Sequence, residues 1–247
     1  MMVNDLRGRT ILITRGADDA QGWASELSAR GARAVVLPCI ASEAIRDADT
    51  ADTLGDALDG ADWLVLSSVR GAHGVAELVG ARRAAAARIA VVGEATEMAV
   101  RQAFGRVDLV APDGTSSSLG ASLARRLRDD LCTDAVRVVA VGAESPRLDL
   151  EKALEPLDVQ IIRVAVYRTI PAPVQEPRED LGALGVDTIF LASPSAVTGL
   201  LARARVPADA HIITIGPSTS EAARDAGLDV AGEAAGRGLE AMIEAMP

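Results

Sequence analysis

Four short stretches of this chain hold the residue types that bind anions. Two are rich in serine, Ser67-Ser68-Val69-Arg70 and Ser193-Pro194-Ser195-Ala196, and two read Gly-x-x-Thr, from Gly93 to Thr96 and from Gly216 to Thr219. Each follows an apolar run and precedes a helical stretch. Small residues at such a turn let a ligand approach the backbone closely, and the unpaired N–H groups opening the next helix favour negative charge. The turns therefore suit carboxylate or phosphate groups. A Ser or Thr at the same place also serves as a helix N-cap, with its oxygen turned to the backbone. Neither Gly-x-x-Thr turn has the glycine spacing of a dinucleotide fingerprint or the lysine of a phosphate-binding loop. Arg15, Arg70, Arg147 and Arg168 lie near strand-to-helix turns or domain crossings, whereas most other arginines share helices with carboxylates, as on a solvated face.

Tyr167 is the single tyrosine. It stands in Val164-Ala-Val-Tyr167-Arg-Thr-Ile-Pro171, directly before a Pro-rich stretch from Pro171 to Pro177 that reads as an interdomain linker. A phenol there can donate a proton or a hydrogen bond to a leaving oxygen at neutral pH; packing is its other use. Nucleophile and metal chemistry find little support. There is no Gly-x-Ser-x-Gly elbow, His73 falls within a helix, and His211 opens a strand. Cys39 and Cys132 lie in apolar stretches without a Cys-x-x-Cys or a nearby pair of histidines, so they read as buried free thiols.

The elements that must position these residues follow a strand-turn-helix rhythm. Thr10 to Thr14, Ala34 to Leu37, Trp63 to Leu66, Ile89 to Val92, Val107 to Val110, Arg137 to Val141, Gln160 to Val166, Thr188 to Leu191, His211 to Ile215 and Leu228 to Ala231 read as strands. Asp18 to Arg30 reads as a helix stopped by Gly31. Alternation of this kind predicts an α/β protein with parallel sheets. Only 2% of residues are aromatic while 49% are hydrophobic, so the core must be built from Ala, Val, Leu and Ile, which suits helices packed on buried parallel strands.

The chain is also written twice, with an offset of about 125 residues. Ala61-Asp62-Trp63-Leu-Val-Leu-Ser67-Ser68 matches Val186-Asp187-Thr188-Ile-Phe-Leu-Ala192-Ser193, and the segment from Arg88 through Gly93 and Thr96 matches that from His211 through Gly216 and Thr219. A weaker match pairs Thr10 to Leu37 with Val136 to Val164. A repeat this long means two domain-sized copies, consistent with 247 residues. Ligands of paired α/β units bind at the carboxyl ends of the strands, so the cleft between copies is the expected site. A formal net charge of −10 argues against a nucleic-acid or membrane-surface binder, and no apolar run approaches the ~18 residues of a membrane span. The N-terminus runs into a strand without an apolar signal core, which makes a cytoplasmic protein the expectation.

Taken in order, Ile11-Leu-Ile-Thr14-Arg15, Val35-Val-Leu37-Pro38, the two Ser turns, the two Gly-x-x-Thr turns and Val166-Tyr167-Arg168-Thr169 resemble the uroporphyrinogen-III synthase family, from Thr10 to Met246. No single motif is specific; their order and spacing are. The resemblance implies two similar flavodoxin-like α/β domains with parallel sheets, joined by a two-stranded antiparallel β-ladder. Residues 1–38 with 171–247 would form one domain and 39–170 the other, the crossing strands lying at its ends. It implies a cofactor-free cyclisation of hydroxymethylbilane, a linear tetrapyrrole with eight carboxylates, by a monomeric enzyme with no nucleic-acid or membrane partner. Tyr167 would assist departure of the hydroxyl. Thr14, Arg15, Ser68, Arg70, Gly93, Thr96, Ser193, Ser195, Gly216 and Thr219 would face the substrate. Thr14-Arg15-Gly16 and Leu66 depart from the family's usual Thr-Arg-Pro and aromatic at those places. A catalytically silent tetrapyrrole sensor on the same fold is one alternative, set back by the absence of an appended DNA-binding or receiver domain. A two-domain solute-binding protein is another, set back by the absence of a signal peptide.

Overall fold

The structure, a computed structural model, describes residues 6–130, 135–145, 148–236 and 238–247. Cys132 and Arg147 lie outside the described residues. The chain opens with β1 (Thr10–Ile13), α1 (Ala17–Ala29) and β2 (Arg33–Val36), then passes through β3 (Ile40–Ala44). Next come α2 (Ala48–Leu58), β4 (Trp63–Leu66), α3 (Val69–Ala84), β5 (Arg88–Val91), α4 (Glu94–Phe104) and β6 (Leu109–Val110). They are followed by α5 (Ser116–Asp129), β7 (Val136–Ala143), α6 (Asp149–Leu154) and the long β8 (Val159–Pro171). The rest is β9 (Glu179–Asp180), β10 (Thr188–Leu191), α7 (Pro194–Arg203), β11 (Ala204–Arg205), β12 (His211–Thr214), α8 (Pro217–Asp225), β13 (Val230–Glu233) and α9 (Leu239–Glu244).

Two compact units result. One joins the chain up to Ala41 with Thr169–Pro247; the other is Ser42–Arg168. The discontinuous unit holds a five-stranded sheet in the order β13-β12-β10-β1-β2, parallel throughout. Read from β2, the strands follow the 2-1-3-4-5 order of flavodoxin-like folds. The continuous unit holds a six-stranded sheet, β3-β8-β7-β4-β5-β6, parallel from β8 to β6. Set against the repeat, β4 corresponds to β10, β5 to β12, β7 to β1 and β8 to β2, so the two sheets carry the same neighbours with the chain entering at a different strand. β3 lies at the edge beside β8. Ala172 N–H donates to the Cys39 carbonyl and Ile45 N–H to that of Val166, so one strand's numbers rise as the other's fall and the pair is antiparallel.

Both central strands are buried on two faces, as the unbroken apolar sequences of β4 and β10 require. Alternate residues feed different cores. Leu64 and Leu66 pack with Ala72, Val75, Ile89 and Val164 on one side of the continuous unit's sheet, while Trp63 and Val65 pack with Leu119, Leu123 and Val138 on the other. In the second unit Ile189 and Leu191 join Leu12 and Leu200, and Phe190 joins Ile11, Ile13 and Met242. The repeated Asp before each central strand has a shared job: Asp62 accepts from Arg137 N–H at 2.9 Å and Asp187 from Thr10 N–H at 2.6 Å, tying the start of the neighbouring strand.

Several boundaries differ from the sequence reading. β13 starts at Val230, not Leu228, because Gly227 (φ +80) and Leu228 close α8, with Leu228 N–H donating to the Ala223 carbonyl. β6 starts at Leu109 because the Asp108 carboxylate turns back to accept from Ile89 N–H at 2.7 Å. The Pro-rich stretch from Pro171 to Pro177 lies within the discontinuous unit, and the chain changes unit inside β8. Pairing with β7 and β3 keeps that segment extended.

Candidate functional site

In open α/β sheets, ligands bind outside the carboxyl ends of the strands where the connections reverse direction. In the continuous unit this place lies between β4 and β7, and a cavity of about 200 Å³ opens there. Ser67, Gly142, Ala143, Ser145, Ser116 and Tyr167 line it together with apolar Val65, Leu119 and Leu150 and with Arg163.

A β-bulge sets the place of Tyr167, which is among the residues lining this cavity. β7 and β8 pair residue for residue from Val136 with Val159 to Gly142 with Ala165, and then Ala143 pairs with Tyr167. Val166 is the extra residue. Its carbonyl accepts from Ile45 N–H at 2.9 Å and from Arg46 at 3.0 Å, and its side chain is buried in the core under α3. Bulges of this kind redirect the next side chain. Here Tyr167 comes to lie beside Ala143 at the cavity wall, with Glu144 N–H donating to its carbonyl at 2.9 Å. Helix α3 seats closely on the same segment because Gly74 has no side chain; a Cβ there would stand 2.6 Å from a Val166 methyl. That approach brings Ser68, the N-cap of α3, to the phenol.

Ser68 Oγ lies 3.2 Å from Tyr167 Oη and accepts from Gly71 N–H at 3.1 Å. The Arg70 guanidinium stands 6.0 Å from the centroid of the Tyr167 ring. Three of the residues singled out from the sequence thus form one cluster. Gly93 and Thr96 sit one strand outward, at the start of α4; Thr96 is 3% exposed, and a Cβ on Gly93 would meet the Gly114 Cα at 3.2 Å.

The discontinuous unit repeats the pattern at its own reversal, between β1 and β10. Thr14 is fully buried and donates to the Phe190 carbonyl at 2.7 Å, so its hydroxyl ties two strand ends together. Arg15 stacks 4.6 Å from the Trp23 ring and lies 4.0 Å from Asp19, both on α1. Ser193 caps α7, accepting from Ala196 N–H at 3.2 Å, and its Oγ lies 3.1 Å from that of Ser195. Gly216 opens α8 in an extended conformation, and a Cβ there would touch nothing within 4 Å. Thr219 is 1% exposed. The Ser turns therefore do cap helices, while buried Thr96 and Thr219 leave the backbone of their turns, not their hydroxyls, to meet any ligand.

Arg163 makes a bidentate pair with Glu151, Nη2 to Oε2 at 2.6 Å and Nε to Oε1. The hydrogen bonds from Arg163 hold the Glu151 carboxyl below its ordinary value, against partial burial. Burial pushes the Cys39 thiol up to about 12. Among the described residues no three His, Cys, Asp or Glu side chains gather as metal ligands.

Sequence reasoning did not single out Ser116, Gly142, Ser145 or Arg163. The signal for Gly142 was present, because the repeat, matching Thr10 with Val136, sets it against the turn at Arg15 and Gly16. Ser116 and Ser145 carry no such signal; the crossovers through α5 and α6 bring them to the cavity.

Several known proteins similar to this chain share one description. A curated uroporphyrinogen-III synthase from Synechococcus elongatus is 28% identical over 123 residues, which cover 48% of this chain and 47% of that protein. The chain thus matches about half the length of this relative. A solved mutant uroporphyrinogen III synthase from the extremely thermophilic bacterium Thermus thermophilus is 18% identical with a TM-score of 0.49, over 96% of both chains. The uroporphyrinogen-III synthetase from Helicobacter pylori 26695 is 13% identical with a TM-score of 0.49, again over 96% of both chains. The family model described as uroporphyrinogen-III synthase HemD matches residues 21–244, and this chain belongs to that family.

Proposed function

We propose that the protein cyclises hydroxymethylbilane to uroporphyrinogen III, with loss of water and inversion of the last pyrrole ring. The observation that carries this reading is the phenol of the only tyrosine, a residue that lines a cavity and follows a bulge, beside Ser68 and Arg70. In the reaction the pyrrole nitrogen expels the hydroxyl of the terminal hydroxymethyl group. Tyr167 gives that oxygen a proton, the C–O bond breaks, and water departs. The resulting azafulvene closes unaided to the non-inverted isomer, so the protein must supply restraint: the substituted carbon of the last ring has to attack first, giving a spiro intermediate. Closure releases a proton that restores the phenol. Backbone N–H groups at the starts of α3, α4, α7 and α8 suit the carboxylates of such a substrate. No step in this scheme calls for a metal or an organic cofactor.

The test is direct. Purified protein is given hydroxymethylbilane in the presence of chelator, the products are oxidised, and the type III and type I isomers are resolved. A product dominated by type III supports the synthase; a mixture no richer in type III than the protein-free control sinks it. Binding of the product without turnover would identify a tetrapyrrole sensor instead.

A further inference from the structure

We infer that Ser68 is a positioning residue that donates its hydroxyl hydrogen to Tyr167 Oη, which leaves the phenol's own proton free to go to a leaving oxygen. The inference rests on the proposed role of Tyr167 and adds the group that makes its proton available. A serine hydroxyl has one hydrogen and two lone pairs. One lone pair of Ser68 is taken by Gly71 N–H, at 3.1 Å. Receiving that bond polarises the hydroxyl and makes it a better donor. Tyr167 Oη lies 3.2 Å away, within range of the hydrogen. In this polarity the chain of bonds runs Gly71 N–H to Ser68 Oγ–H to Tyr167 Oη, and the phenol hydrogen points away from Ser68.

The opposite polarity would hold the phenol proton on serine and oppose its transfer. The favoured polarity does the reverse, because a donor aimed at the phenol oxygen stabilises the negative charge that grows there as the proton leaves. The positive end of the α3 dipole acts in the same sense from its first turn, as does the Arg70 guanidinium over the ring. Ser193 makes a useful contrast. It caps α7 in the same way, yet its neighbouring hydroxyl is Ser195. Of these two caps, Ser68 is the one placed beside a phenol.

The test separates this role from capping. Gly is nearly as good an N-cap as Ser, so Ser68→Gly removes the donor at little cost to α3. Since the chain has one tyrosine, tyrosine labelled with carbon-13 at Cζ gives one resonance that reports on the phenol's hydrogen bonding. Ser68→Gly is expected to move that resonance and Ser68→Thr to leave it near the wild-type position. Thr115→Gly, which removes the cap of α5, is expected to leave it unmoved. In the isomer assay Ser68→Gly should lower kcat about 10-fold, the value of a charge-assisted hydrogen bond, with KM within about twofold. Combined with Tyr167→Phe it should cause no further loss, since its effect passes through the phenol. An unmoved resonance, an unchanged or raised kcat, or losses that add in the double variant would each overturn the inference. If the wild type makes no type III isomer, the synthase reading fails, and the resonance still decides whether Ser68 bonds the phenol.

Discussion

A phenol makes a good acid in a protein only when something prepares the oxygen it leaves behind. In the proposed reaction Ser68 and Arg70 would prepare the Tyr167 oxygen, so the hydroxyl should matter for rate but not for which ring carbon attacks. Tyr167→Phe is expected to lower kcat by about 10²–10⁴, the range for loss of a general acid, while the product stays type III. Isomer analysis of the slow variant checks both halves; a switch to type I would assign Tyr167 to substrate restraint. Cys39 is a residue of the opposite kind. It is fully buried with its thiol pushed up to about 12, so it is not a nucleophile near neutrality. In a Cys132→Ser protein at pH 8, a thiol reagent should react only after denaturant is added. Rapid reaction of the native protein would show that the Cys39 environment opens.

At the scale of elements, two helical glycines should respond oppositely to the same change. Gly22 in α1 has open space where a Cβ would go, and Gly22→Ala should stabilise by about 1 kcal/mol, the ordinary helix preference. A Cβ on Gly199 in α7 would fall 1.7 Å from the Cys39 carbonyl oxygen, and Gly199→Ala should destabilise by about 2 kcal/mol or more. Denaturant unfolding of the pair is the check. Glu151 gives α6 and β8 a pH-dependent tie. Its carboxyl titrates lower when folded because Arg163 hydrogen-bonds it, so the pair's stabilisation is present above the ordinary value of 4.5 and lost as pH falls through the folded value. Glu151→Gln should therefore destabilise at pH 7 and show a smaller further loss on acidification; equal slopes would mean the tie contributes nothing. The central strands were legible in the sequence, because burial on both faces leaves unbroken runs such as Trp63-Leu-Val-Leu66 and Thr188-Ile-Phe-Leu191, whereas the more exposed β3 and the two-residue β9 and β11 were not read. The bulge was not legible either. Val164-Ala-Val-Tyr167 alternates as any strand does, and the extra residue exists only relative to Gly142 and Ala143 on β7. Nor could a Ser or Thr in a strand-to-helix turn reveal whether its oxygen faces the backbone: Ser68 does both, capping α3 and reaching the phenol, while Thr14 is spent on Phe190.

The whole molecule is one sheet plan used twice, with the chain entering each copy at a different strand. The continuous unit, Ser42–Arg168, owns all the strands of its core, and a fragment of that span is expected to unfold in a single cooperative transition. Loss of cooperativity in the isolated fragment, followed by circular dichroism and by Trp63 fluorescence, would show that it depends on the rest of the chain. The discontinuous unit is built differently. β1 is the strand between β2 and β10, and its Ile11 pairs with Thr188, a residue the ribosome adds more than a hundred residues later. During synthesis the continuous unit can finish folding while β1, α1 and β2 wait with the side of β1 that β10 will cover still bare. Ile11, Leu12 and Ile13, all fully buried in the finished protein, are expected to lack their β10-side cover for that interval. The nascent chain's hazard thus lies in β1, whose apolar edge waits for β10, the later made of its two neighbouring strands and followed in that sheet only by β12 and β13.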